Sequence, residues 1–261
     1  MHLTIDNKNK QEIFVAIFQL LKNWSSHINM NFESDKLYIQ SMDKSHVCLA
    51  DIVLKNTWFS SYECETNNKL SVDSNQFAVL INYALKHEKL ELKFEDEVDP
   101  DKLYINFLND SDKDKKGSFN HYFELSLIDV QEDGLEIPEV DYDVDFLIDS
   151  KKLVELLSEL NTFGQDLNIK CTEDNIEFNA SGESTKLKVN INIDDLNEYG
   201  ITEGGQLNVS FSLNHLYKMC CSTKLCSSIN VLLSSEYPMS LKYSLGDEST
   251  ISFFIAPKVT D

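Results

Sequence analysis

Proline and glycine are scarce, at four and eight in 261 residues, which argues against long flexible or extended linkers. No stretch reaches the roughly 18 consecutive apolar residues of a membrane span. The opening MHLTIDNKNK lacks the apolar core of a secretory signal. A soluble, intracellular protein without membrane partners is the expectation. Catalytic signatures are missing too: there is no P-loop, no G-x-S-x-G, no H-E-x-x-H and no convincing carboxylate pair. An enzyme is therefore not expected, and no catalytic residue or cofactor is assigned. Positive charge is also short. Twenty-three Lys and Arg stand against 44 Asp and Glu, a net charge of −21. Taken alone, that balance opposes binding to nucleic acid, so the placement of the charges decides.

What is present is globular material. Hydrophobic residues make up 42%, with 15 Phe and 10 Tyr, and the length suits one large domain or two medium ones with real cores. Six cysteines (Cys48, Cys64, Cys171, Cys220, Cys221 and Cys226) sit in or beside apolar segments. Reduced, buried thiols are expected. His215 precedes three of them, but the spacing fits no zinc pattern, and no metal ligand is assigned.

Four segments carry the helical period of three and four. They are about 9–24 (Ile13, Phe14, Ile17, Leu20, Leu21, Trp24), 74–89 (Phe77, Leu80, Ile81, Ala84, Leu85), 150–163 (Leu153, Leu156, Leu157, Leu160, Phe163) and 212–224 (Leu213, Leu216, Tyr217, Cys220). Ser74, Ser150 and Ser212 stand where N-caps are expected. Between these segments the chain alternates with strand period, as in LYINF (103–107), LKVNINI (187–193) and ISFFIA (251–256). The order helix, strands, helix, strands occurs twice. ESDKLYIQSM (33–42) in the first half matches TEDNIEFNAS (172–181) in the second, an internal duplication. Between the halves, IDVQEDGLEIPEVDYD (128–143) is acidic, with Leu135 and Ile137 standing apolar among carboxylates. Most such runs are solvated linkers; the apolar pair suggests that part of this one lies on a surface.

The four helical windows hold eight lysines against four glutamates, a net +4 that leaves −25 for the rest. With an apolar face toward the sheets, the lysines must point outward, giving a mildly basic surface on an acidic body.

The stretch IQSMDKSHVCL (39–49) resembles the signature of the proliferating cell nuclear antigen family, the eukaryotic and large-DNA-virus sliding clamps. GLEIPE (134–139), FNASGE (178–183), EYPMSLKY (236–243) and FFIAPKVTD (253–261) continue the resemblance in the family's order across essentially the whole chain. It implies an α+β DNA-clamp fold with two similar domains, each with two helices packed on two four-stranded antiparallel sheets. The domains would be 1–127 and 144–261, joined by a connecting loop over 128–143. Three copies would close head to tail into a ring lined by helices, pairing edge strands near 119–127 and 183–190.

The resemblance also assigns a partner-peptide pocket to Met42, His46, Val47, Leu49, Leu135, Ile137, Pro238, Phe254, Ala256 and Pro257. Three of the four prolines lie at or beside it. Where the family carries outward basic residues, register places Val15, Ala16, Val79, Asn82, Ser158, Asn214 and Cys221. Lys22 is kept, and Lys10, Lys86, Lys151, Lys152 and Lys218 are the remaining DNA-facing candidates. The family's ubiquitin-acceptor position is Glu173. The implied function is a processivity factor in DNA replication and repair. It would encircle duplex DNA, tether DNA polymerase and other proteins bearing the clamp-interaction motif, and be placed by a separate clamp loader. Its compartment would be the nucleus or a viral replication compartment. The alternatives are a subunit of a heterotrimeric or checkpoint clamp, and a monomeric adaptor that uses the same pocket.

Overall fold

The computed structural model describes residues 1–109, 119–130 and 134–258. The chain divides into two compact units. One comprises residues 1–44, 51–134 and 245–250, the other 45–50, 135–244 and 251 onward.

The first unit is built from β1 (His2–Ile5), α1 (Lys8–Leu21), β2 (His27–Phe32), β3 (Lys36–Met42), the 51–55 part of β4 (Cys48–Lys55), β5 (Ser61–Glu63), β6 (Asn68–Asp73), α2 (Ser74–Ile81), β7 (Lys89–Lys93), β8 (Lys102–Leu108) and β9 (His121–Ser126). Its strands run in the orders β5-β1-β7-β8-β9 and β4-β3-β2-β6. The second unit holds β10 (Val144–Asp149), α3 (Ser150–Phe163), β11 (Asp166–Cys171), β12 (Asn175–Ser181), β13 (Lys186–Asn192), β14 (Glu198–Ile201), β15 (Leu207–Ser212), α4 (Leu213–Cys220), β16 (Ser228–Leu233), β17 (Met239–Ser244) and most of β18 (Thr250–Ile255). Its orders are β14-β10-β16-β17-β18 and β13-β12-β11-β15. The two sets of orders are the same when each unit is counted from its own start. β3 and β12, the strands of the two matching acidic-turn segments, occupy equivalent places. The duplication seen in the sequence is thus a duplication of topology. Each unit carries one five-stranded and one four-stranded run rather than two of four, because the short strands β5 and β14 extend the first.

The strands form because apolar residues alternate and one face is buried. In β8, Leu103, Ile105 and Phe107 are fully buried while Tyr104 and Asn106 face away. The first unit's core is aromatic. Phe14 and Phe18 of α1 meet edge to face at 4.8 Å, and Phe18 meets Phe77 of α2 at 4.6 Å. The second unit buries Phe146, Phe178, Phe211, Tyr243 and Phe253. Gly182 of the FNASGE segment has a packing reason: a Cβ there would lie 2.5 Å from the Phe163 carbonyl oxygen at the end of α3.

Three expectations about the helices are corrected. Ser74 and Ser150 are not N-caps. Asp73 accepts the Gln76 amide at 2.8 Å, and Asp149 accepts the Lys151 and Lys152 amides at 2.9 and 3.0 Å. A carboxylate also complements the positive end of the helix dipole. The serine hydroxyls instead donate inward, Ser74 to the Ser25 carbonyl at 2.6 Å and Ser150 to the Cys226 carbonyl at 2.8 Å. Secondly, α2 ends at Ile81 and tightens into a 3₁₀ turn over Asn82–Lys86. The Lys8 ammonium donates to the Ala84 and His87 carbonyls there, at 3.0 and 3.1 Å, neutralising the negative helix end. Thirdly, α1 is apolar nearly all round: Val15 and Ala16, expected on the outward face, are only 4% and 8% exposed.

Cys48, Cys64, Cys171 and Cys220 are buried, Cys226 is partly so, and Cys221 is exposed at the end of α4, against the expectation of burial. Burial pushes the Cys171 and Cys220 thiols up to about 12. The fold therefore favours the neutral thiols. Their contribution is complete below the unfolded thiol value of about 8.5 and is lost as pH rises toward the folded value. The urea midpoint should fall across that window. A Cys171→Ala, Cys220→Ala double variant should lose less of its own midpoint over the same range, and an equal loss would assign the alkaline sensitivity to other groups.

Candidate peptide pocket and candidate DNA-facing lysines

The turn after β3 is built by polar residues that interrupt two alternating strands. Met42 ends β3 and is half-buried, and it belongs to the first unit. The other pocket candidates belong to the second unit. His46 is exposed and adopts a φ of 56°, in the left-handed region uncommon for residues with a side chain. Val47 is half-buried, and its carbonyl accepts the Ala256 amide at 3.1 Å. This bond brings the turn and the tail together. In β4 the buried Cys48 and Ala50 flank the half-buried Leu49, and in β18 the buried Phe253 and Ile255 flank the half-buried Phe254. Strand alternation therefore turns Leu49 and Phe254 away from the core.

The connecting segment supplies Leu135, 51% exposed, and Ile137, half-buried. Its start is tied to the first unit by Ile128 N–H to the Ser71 carbonyl at 2.9 Å, and its end to the second by Asp143 N–H to the Leu233 carbonyl at 2.9 Å. No helix or strand is assigned to the described parts of 127–143. Pro238 and Ala256 are exposed, and Pro257 is half-buried. Tyr237, beside Pro238, is 38% exposed. Residues 259–261 of the tail lie outside the described residues.

The candidate DNA-facing lysines differ in how far their charge is already engaged. The Lys10 ammonium donates to the Trp58 carbonyl and to Asp247 Oδ2, both at 2.8 Å, and sits 5.5 Å from the Trp58 ring centre. Its charge is neutralised within the first unit. Lys22 donates to Gln19 Oε1 at 2.5 Å and is partly exposed. Lys86, Lys151, Lys152 and Lys218 are exposed on or beside α2, α3 and α4. Val79, 64% exposed, and exposed Asn82, Ser158, Asn214 and Cys221 occupy neutral positions on these elements. Exposed Glu155 and Glu159 offset the two lysines of α3. Glu173 is occupied locally, accepting the Gly204 amide at 2.7 Å.

Among the described residues no group of three or more His, Cys, Asp or Glu is placed to hold a metal. None of their helices is long and apolar enough to cross a membrane.

The duplicated topology and the turn after β3 sit in a chain whose two halves each match a known domain. The profile of the proliferating cell nuclear antigen N-terminal domain matches residues 6–134, and that of its C-terminal domain matches 136–258. The proliferating cell nuclear antigen of Chaetomium thermophilum is 28% identical over 254 residues, covering 95% of each chain. Proliferating cell nuclear antigen 2 of Plasmodium falciparum is 25% identical over 257 residues, covering 96% of this chain and 97% of the relative. With both domains matched in order and relatives aligned nearly end to end, the chain belongs to the proliferating cell nuclear antigen family.

Proposed function

We propose that the chain is a sliding clamp, a non-enzymatic processivity factor that closes as a homotrimer around duplex DNA and tethers polymerase and other replication and repair proteins. One observation carries the reading: among the strands that end a sheet, β9 and β13 are six and seven residues long and largely uncovered. No residue of β13 is buried, although Leu187, Val189 and Ile191 alternate along it. β9 likewise exposes Tyr122, 68% accessible, and Glu124. An apolar, open edge is a liability unless another strand covers it. Two different edges on one chain suit a head-to-tail joint whose rotation closes a ring.

A ring performs its task topologically. A bound polymerase that lets go of the primer end stays at high effective concentration because the clamp cannot diffuse off. Weak phosphate contacts from Lys22, Lys86, Lys151, Lys152 and Lys218 suffice and permit sliding. Native mass spectrometry at micromolar concentration tests the reading. A species of three times 29.9 kDa is expected. A monomer throughout that range would favour an adaptor, and a ring formed only with a sister chain would favour a heterotrimer.

The second-unit pocket would receive partner peptides carrying a glutamine, an aliphatic residue and two aromatics. Micromolar affinity, roughly 8 kcal/mol, is expected, mostly from the aromatic anchors. Ile137→Ala should weaken it by about 1–3 kcal/mol through reduced apolar burial, and Pro257→Ala should weaken it too. Calorimetry giving equal affinity for wild type and both variants would place the site elsewhere.

A further inference from the structure

We propose that His215 is a positioning residue for the peptide pocket, a strut that fixes the 45–47 turn from the start of α4. The proposal rests on the pocket reading given above. His215 Nε2 lies 3.1 Å from Ser45 Oγ, and His215 Nδ1 lies 2.9 Å from Ser212 Oγ. A neutral imidazole has one N–H and one lone pair, and a hydroxyl can donate or accept. Both ring nitrogens are therefore satisfied in either tautomer, and the three side chains form one oriented line.

Two features show that the line is not incidental. Ser212 occupies the N-cap position of α4, yet its side chain makes no capping bond. A hydroxyl that ordinarily stabilises a helix end is turned to the imidazole. In addition, the residue after Ser45 is His46, with its φ of 56°. A non-glycine residue keeps such a conformation only where its surroundings hold it. The turn is held on both sides of His46, at Ser45 by His215 and at Val47 by the Ala256 amide, 3.1 Å away.

The tail is fastened to the same corner. The Lys258 amide donates to the Ser210 carbonyl at 2.7 Å, and its ammonium pairs with Asp166 Oδ1 at 2.5 Å. The β15–α4 corner, through Ser210, Ser212 and His215, thus anchors the turn that carries His46 and Val47 and the tail that carries Ala256 and Pro257. His215 acts through Ser45: it sets the fraction of molecules whose turn is ready for a peptide. Apparent affinity falls in proportion to that fraction.

The test uses the full chain and a synthetic peptide carrying the glutamine, aliphatic and two aromatic residues, with calorimetry and amide hydrogen exchange as readouts. If the turn is ready about a tenth of the time without the strut, His215→Phe and Ser45→Ala each weaken binding about tenfold. The double variant should be no weaker than either single one, since one interaction is removed twice. His215→Gln, which keeps a donor and an acceptor, should recover part of the loss. Amides 45–47 should exchange faster in His215→Phe while those of β11 and β15 stay protected. Full affinity in both single variants beside a weakened Ile137→Ala would overturn the strut and leave the pocket standing. Additive losses in the double variant would overturn it as well. If no peptide binds even the wild type, the pocket reading fails, and the exchange measurement still decides: unchanged protection at 45–47 in His215→Phe overturns the strut.

Discussion

Asn190→Pro is expected to leave a folded monomer where the wild-type chain is expected to form a trimer. In the β12–β13 hairpin the Gly182 amide bonds to the Thr185 carbonyl, and the register pairs Asn179 with Lys188 and Glu177 with Asn190. Antiparallel bonding alternates every two residues. The amides of 187, 189 and 191 therefore point to β12, and those of Lys188 and Asn190 point to the open edge. On β9, the Leu127 amide bonds to the Asp101 carbonyl, and Tyr104 pairs with Glu124. The same alternation turns the amides of Tyr122 and Glu124 outward. Proline at 190 removes one edge donor and places a ring where a neighbouring strand must approach, while the in-chain ladder keeps its bonds. A cost of about 3 kcal/mol per joint, roughly a hundredfold in dissociation constant, applies at every joint of the ring. Analytical ultracentrifugation reads the outcome, with Asn190→Ala as the control that should remain trimeric. An unchanged trimer in Asn190→Pro would move the joint away from β13.

The second large effect is expected on DNA. Replacing Lys22, Lys86, Lys152 and Lys218 together by alanine removes four of the five DNA-facing candidates that remain once Lys10, held by Asp247, is set aside. Every phosphate that is no longer met by a lysine should flatten the slope of log affinity against log salt by about 0.9. Affinity for linear duplex at low salt should fall by about tenfold or more, and loading should fall with it. Trimer mass and peptide affinity should be unchanged. Lys10→Ala should behave differently. Its ammonium is held by Asp247 and the Trp58 carbonyl, so the loss should appear in stability rather than in DNA binding. A quadruple variant with wild-type affinity and salt slope would mean that DNA does not meet this helical face.

Legibility followed the physics of each element. The extent of α3 was readable because Leu153, Leu157 and Leu160 mark one buried stripe on a polar helix, although its cap was not. α1 hid its packing, since Val15, Ala16 and Phe18 are buried beside the expected stripe and a helix covered on several sides has no polar face to reveal. The continued period through Leu85 gave no sign that α2 would tighten after Ile81, into a turn whose carbonyls meet Lys8, far away in sequence. Each of the two expected serine caps lies one residue after the aspartate that does cap, and either residue type serves. The buried carbonyls that claim Ser74 and Ser150 come from Ser25 and Cys226, which no local pattern discloses. β5 and β14, at three and four residues, are too short for a period to register.

The pocket turn was visible only as a family signature, since each of its residues reads singly as core or loop. The strut was not visible at all: Ser45 and His215 stand 170 positions apart. The engaged state of Lys10 is a similar case, with Asp247 at the other end of the chain.

Encirclement itself is tested most directly by a comparison of topologies. The clamp is loaded onto nicked circular duplex by a clamp loader, moved to high salt, and its retention is compared with that on the same DNA cut once. Salt weakens the lysine–phosphate contacts in both cases alike. A closed ring can leave a circle only by opening a β9–β13 joint, whereas it can slide off a free end. Long retention on the circle and prompt loss after linearisation are expected. Equal, rapid loss from both, with the trimer intact, would contradict encirclement.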